Sequence, residues 1–143
     1  MTAAAALLDF FSSAVPGWSA YVETGVPSKA AGDAYDATFP YLTYSLPTSS
    51  FNFGEVSISV NLWDKKRGAS QGGSQTGTAT EATMNAAAAM LSAAIGRGGV
   101  TLPCDGGYIW LKRGTPFAQA LPDEDITIKR RYINITAEYL TND

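Results

Sequence analysis

The sequence predicts an α+β fold in one domain: a mixed, mostly antiparallel sheet with two main helices packed on it. Three observations predict it. Residues 55–63 alternate, with Val56, Ile58, Val60 and Leu62 on one side and Glu55, Ser57, Ser59 and Asn61 on the other, as in a half-buried antiparallel strand. Two other stretches repeat at three- and four-residue spacing, which is the period of a helix with one apolar face. They are Leu7, Phe10, Phe11, Ala14 and Val15, and then Met84, Ala87, Ala88, Leu91, Ala94 and Ile95. The chain has 143 residues, 45% of them apolar, enough for a single core, and neither a repeat nor a linker divides residues 1–143.

Taken in order, Thr2 caps the first helix, which ends at Pro16-Gly17. Trp18 to Glu23 reads as a short strand and Val26 to Phe39 as a loop. Tyr41 to Leu46 is a strand between two prolines. The link from Thr48 to Gly54 is too short for a crossover helix, so this strand and the next form a hairpin. Asp64 to Thr78 is rich in Gly, Ser, Gln and Thr, with no large apolar side chain, and is expected to be mobile in an isolated subunit. Thr78 and Glu81 stand at the spacing of a capping box opening the Ala-rich second helix, and Gly96, Gly98 and Gly99 end it. Asp105-Gly106 closes a hairpin between Val100–Cys104 and Gly107–Leu111. Gly114 to Asp125 reads as a second loop. In the last strand, Ile126 to about Leu140, the apolar side switches near Arg130, which predicts a bulge or bend there.

Composition narrows the chemistry. Charged residues are 16%, against roughly 25–35% on the surface of a freely soluble domain. Part of the surface is therefore expected to meet protein. Ten basic residues against thirteen acidic ones argue against general nucleic-acid binding. The absence of histidine removes the commonest general base and metal ligand. The single cysteine, Cys104, leaves no intrachain disulfide and no zinc cluster. No catalytic residue, metal or cofactor is expected. Asp123-Glu124-Asp125 are the closest carboxylates, and three neighbours behind Pro122 read as a solvated strand entrance. Gly96-Arg97-Gly98-Gly99 follows a helix, whereas a phosphate cradle precedes one. Asn134-Ile135-Thr136 matches a glycosylation sequon but lies within a strand. No apolar stretch reaches the roughly 20 residues of a membrane span, and no basic residue precedes the apolar run to Leu8, so synthesis and folding in a cytoplasm is the expectation.

Nine of the ten basic residues follow Leu62. Lys112-Arg113 and Lys129-Arg130-Arg131 flank the second loop and would lie together if their strands pair. They read either as a phosphate-facing patch or as a rim balanced by Asp123, Glu124 and Asp125, or a charged protein–protein face. Trp63 shares parity with the polar side of its strand, and either covers the strand end or anchors an interface.

Several of these segments resemble one family. Phe39-Pro-Tyr-Leu-Thr-Tyr44 followed by Glu55-Val-Ser-Ile-Ser-Val-Asn-Leu-Trp63 is similar to the strand core of siphophage tail terminator (tail completion, head–tail joining) proteins. Gly107-Tyr-Ile-Trp-Leu-Lys-Arg-Gly-Thr-Pro-Phe-Ala-Gln119 resembles that family's G-x-I-W-x-x-R-G-x-P-F-x-Q stretch, and Arg130 to Leu140 its last strand. The resemblance implies a structural virion protein, not an enzyme, in the tail or neck of a particle assembled in a bacterial cytoplasm. Such a protein forms a homo-oligomeric, hexameric ring on the head-proximal end of the tail tube and stops its polymerisation. Tail-tube protein would lie on one face and the head connector on the other, with genome DNA only passing through the lumen and no membrane involved. The expected interface residues are Trp63, Lys65, Lys66, Arg67, Lys112, Arg113 and Phe117. The alternative is another neck, connector or tail-tube protein of a tailed particle.

Overall fold

The computed structural model describes residues 1–23, 39–46, 55–72, 75–122 and 126–141. The first helical repeat forms α1 (Ala3–Ala14), where Thr2 Oγ1 accepts the Ala5 amide at 3.1 Å. Gly17, at φ 85°, turns the chain into β1 (Ser19–Val22). β2 (Tyr41–Tyr44) pairs antiparallel with β3 (Glu55–Lys65), Tyr41 opposite Trp63, as the short link between them predicts. Two short strands follow, β4 (Ser70–Gly72) and β5 (Gln75–Thr76), then α2 (Glu81–Ile95). β6 (Val100–Cys104) and β7 (Gly107–Leu121) form the hairpin expected at Asp105-Gly106, with Gly106 at φ 81°, and β8 (Ile128–Thr141) completes the chain of elements.

The main sheet has six strands in the order β1-β2-β3-β8-β7-β6. β1 and β2 are parallel and every other pair is antiparallel. The fold is thus the α+β domain the sequence predicts, with the sheet curled into a half-barrel. Both helices sit on one face. α2 packs against β3, β8 and β7, while α1 touches both outer strands, β1 and β6, and so spans the open side of the curl. Strand alternation fills the space beneath: Leu42, Ile58, Val60, Leu62, Ile109, Leu111, Ile133 and Ile135 meet Leu7, Phe11, Met84, Leu91 and Ile95, all fully buried. The Phe11 ring stacks on Tyr44 with centroids 4.5 Å apart, fastening α1 to β2.

Four expectations need correction. The capping box is Thr80 with Thr83, two residues later than predicted; Thr80 Oγ1 accepts the Thr83 amide and Thr83 Oγ1 accepts the Thr80 amide. Glu81 is thereby released from a capping role.

The segment expected to be a mobile loop is a strap instead. Its described residues carry β4 and β5, and backbone bonds tie its base: Arg67 N to Ala79 O at 2.9 Å, Ala79 N to Lys65 O at 2.9 Å and Lys66 N to Thr127 O at 2.7 Å. Composition measures how little this segment can bury, whereas a backbone ladder orders it without burial.

Gly114 to Leu121 is not loop but the second half of β7. The strand crosses Pro116 through a bulge, since pairing to β8 jumps from Arg113 opposite Ile135 to Ala118 opposite Ile133. Gly114 lies so close to β8 that a Cβ there would stand 2.7 Å from Asn134.

The irregularity expected at Arg130 is therefore in the partner strand; β8 itself pairs with β3 without a break from Ile128 to Glu138. Ile126 is 79% exposed and precedes β8, and Ile128 lies half-buried on the helix-free side, so the change of apolar parity needs no break; Lys129 and Arg131 take the helix-facing positions. The expected loop Val26 to Phe39 up to residue 38, the link Thr48 to Gly54 and the carboxylates Asp123, Glu124 and Asp125 lie outside the described residues.

Gly77 shows how tightly the strap is tied down: a Cβ there would meet Lys66 O at 2.3 Å and Lys65 O at 2.5 Å. Both contacts are backbone and cannot swing away. Gly77→Ala should lower unfolding free energy by about 1–3 kcal/mol in a denaturant titration. Gly98→Ala, where a Cβ meets nothing within 4 Å, should stay within about 0.5 kcal/mol of the parent. Equal stability of the two variants would mean the strap is not packed as described.

Candidate assembly interface

Strand parity places Tyr41, Thr43, Asn61, Trp63, Arg130 and Tyr132 on the face of the sheet opposite the helices. Their side chains interlock. The Arg130 guanidinium lies 4.9 Å over the Trp63 ring, and its Nε donates to Asn61 Oδ1 at 2.7 Å. Trp63 Nε1 donates to Thr43 Oγ1 at 3.1 Å, and the Trp63 ring stacks on Tyr41 at 6.5 Å. Phe39 follows at 5.2 Å from Tyr41, with Lys65 Nζ 5.6 Å from its ring, and Tyr21 meets Tyr41 edge-on. Each of these rings is half-buried.

The helix-facing side carries charge where β8 passes under the start of α2. Arg131 is 5% exposed; its Nη2 donates to Glu81 Oε2 at 2.5 Å and to Asn85 Oδ1 at 3.0 Å. Lys129 Nζ donates to Glu81 Oε1. These bonds, from Lys129 first and then Arg131, hold the Glu81 carboxyl below its usual range. Asp64, opposite Lys129 in register and also buried, is pushed up by desolvation, opposed by the Lys65 amide that donates to it at 2.8 Å.

A groove runs between α2 and the second half of β7. Its middle, about 500 Å³, is lined by Ala88, Ala89, Phe117, Ala118 and Ala120, with Glu81 and Arg131 at one end and Ser92 at the other. A cleft of about 310 Å³ adjoins the first end through Glu81, Ala120 and Arg131 and adds Lys66 and Arg130. A cleft of about 480 Å³ adjoins the other through Ser92 and Phe117 and adds Arg97, Lys112 and Arg113. Arg113 Nη1 donates to Ser92 Oγ at 2.9 Å.

The seven residues expected at an interface fall on different surfaces. Trp63 and Lys65 join the aromatic face, which settles the local surroundings of Trp63: it is part of an array, not a lone strand cap. Lys66 and Arg67 are exposed on the strap. Lys112 shares the aromatic face's side of the sheet but pairs elsewhere, with Glu55 at 3.2 Å and Glu138 at 3.6 Å, its Nζ 4.6 Å from the Trp110 ring. Arg113 and Phe117 line the groove. The basic clusters of β7 and β8 do not meet. Their strands pair, yet Arg113 lies opposite Ile135, before the bulge, and Arg131 opposite Ala120, beyond it. Arg131 is balanced by Glu81, a partner that composition did not suggest. Sequence reasoning also missed Tyr41 as a face residue; its parity with Trp63 in a predicted hairpin is the signal that would have found it.

Among the described residues no group of three or more His, Cys, Asp or Glu could hold a metal ion, and no helix is long and apolar enough to cross a membrane. Burial pushes the Tyr139 phenol up to about 12, with Cys104 adding to the shift, so it stays protonated at neutral pH. The fold and these surfaces define a small α+β domain with a helix-free aromatic face and a basic-ended groove. No family model, no curated protein and no solved structure matches the chain.

The Glu81 contact has a pH signature. A carboxyl whose pKa is depressed on folding contributes stability that is present above its unfolded value, about 4.3, and is lost as pH falls through the lower folded value. Glu81→Ala should melt below the parent at pH 7, and the gap should close as pH drops below about 4. A gap independent of pH would show that the loss is not ionic.

Proposed function

We propose that this chain is a structural virion protein that forms a ring, a hexamer in the family it resembles, at the head-proximal end of a phage-type tail tube. It ends tube polymerisation there and joins tail to head. The observation that carries the reading is that one subunit bears two unlike surfaces, the rigid aromatic face and the basic-ended groove. A closed ring of identical subunits is built from head-to-tail contacts, in which different surfaces of the same chain meet. The segments that resemble tail terminators support it: they are β2, β3, β8 and β7, four neighbours in the sheet. The low charge content also suits a protein with much of its surface in contact with others.

In this reading no catalytic step is involved, tube protein and head connector occupy the two ends of the ring, and DNA crosses the lumen without sequence-specific contact. A second reading, another neck, connector or tail-tube protein, shares the same paired surfaces and differs in how assembly ends. Electron microscopy of the purified protein separates them. Closed rings with six-fold symmetry that cap tube ends are expected; open tubes would make it a tube subunit. A chain that stays monomeric at every concentration and does not bind tube ends would overturn the assembly reading.

A further inference from the structure

We propose that the free edge of β7, along the floor of the groove, is the site where the β1 edge of a second copy of this chain adds as a strand. This rests on the assembly reading above and names the contact within it. β6 pairs with β7 only from Gly107 to Leu111, whereas β8 pairs with β7 as far as Leu121. Residues 118–121 therefore have one strand neighbour among the described residues, and the N–H and C=O groups on their other edge have no strand partner there. Ala118, Gln119 and Ala120 are exposed. An open row of this kind is a template for strand addition.

The groove has room for an added strand. Its α2 wall is Ala88 and Ala89, and the small side chains of β7 opposite leave a channel next to the strand edge. A strand needs about 4.8 Å of lateral space. The outermost strand on this side, β6, is a poor alternative. Pro103 has no N–H to offer, and the Asp105 amide in its turn already donates to Met1 O at 2.7 Å.

Charge and topology identify the occupant. β1 lies at the opposite end of the sheet, pairs only with β2 among the described residues, and is four residues long, as is the regularly paired segment of β7 beyond the bulge, residues 118–121. Residues 1–62 hold one basic residue, Lys29, against five carboxylates, Asp9, Glu23, Asp33, Asp36 and Glu55, and Glu23 directly follows β1. The groove ends hold Lys66, Arg97 and Arg113, none of which has a carboxylate partner among the described residues. An acidic strand end meeting a basic groove gives the contact its direction, and because the two surfaces lie toward opposite ends of the sheet, repeated contacts run head to tail.

Cysteine pairing tests this in the full chain with Cys104→Ser as background. One preparation carries Ser19→Cys, the other Gln119→Cys; both sites are exposed and lie on the same side of the sheet. Mixed under copper-phenanthroline at assembling concentration, they should form disulfide dimers at least tenfold more than either alone, with Tyr21→Cys replacing Ser19→Cys to sample the next register. Arg97→Glu, at an exposed site, should weaken assembly at least tenfold in sedimentation without changing the melting temperature. Rings that form normally yet give no mixed disulfide in either register overturn this contact and leave the ring reading intact. So does capture of the Gln119→Cys protein by tube subunits in place of a second copy. A protein that forms no ring and no disulfide at any concentration overturns both.

Discussion

β8 hydrogen-bonds to β3 along one edge and to β7 along the other, and among the described residues no other ladder joins the first half of the sheet to the second. The β1-β2-β3 unit and the β6-β7 hairpin are each complete without it, but neither can bury its apolar face alone. Ile133, Ile135, Ala137 and Tyr139 supply the centre of the core from this one strand, each wholly or almost wholly buried. The same strand runs on beneath the start of α2, where apolar residues give way to Lys129 and Arg131. A buried guanidinium is costly unless it is paired. Glu81 and Asn85 meet that requirement from α2, so the seating of the helix and the length of the strand are set by one contact.

The two candidate surfaces differ in how their cations are satisfied. On the aromatic face Arg130 has a ring beneath it and an amide beside it, and Trp63 is hydrogen-bonded at its nitrogen. These side chains have little rotamer freedom left to lose, which lowers the entropic cost of docking on them. In the groove, Arg97 is exposed and without a carboxylate among the described residues. Such a charge guides the approach of a partner and its direction more than it adds to affinity.

Much of the fold was legible because it is written in short-range periodicity. The alternation of Val56 to Leu62 and the helical spacing of Leu7 to Val15 gave the correct faces. What escaped depended on partners far along the chain. Arg131 looks out of place on an apolar side until Glu81, fifty positions earlier, comes to rest above it. The strap has little to bury, and the backbone bonds that tie its base leave no mark in composition. Gly114 and Pro116 suggested a loop, yet a bulge absorbs both within one strand. The capping box sits two residues beyond the Thr78–Glu81 spacing because a threonine, Thr83, takes the reciprocal place where that pattern expects Glu or Gln. For the site, the basic residues were visible but their grouping was not. Neighbours such as Lys112 and Arg113 point to opposite sides of a strand, a consequence of parity that charge counting ignores.

The position of β8 also governs the order in which the molecule can come together. Glu55 pairs with Glu138, so the ladder between β3 and β8 joins segments far apart in the chain, with α2, β6 and β7 between them. Closing such loops is slow, because chain entropy is lost before the contacts form. As the polypeptide emerges from the ribosome, β3 and the second half of β7 wait with open edges until residues 128–141 arrive. During that interval the nascent chain is at its most prone to pair with a neighbour, and the speed with which its final strand inserts decides between a folded subunit and an aggregate.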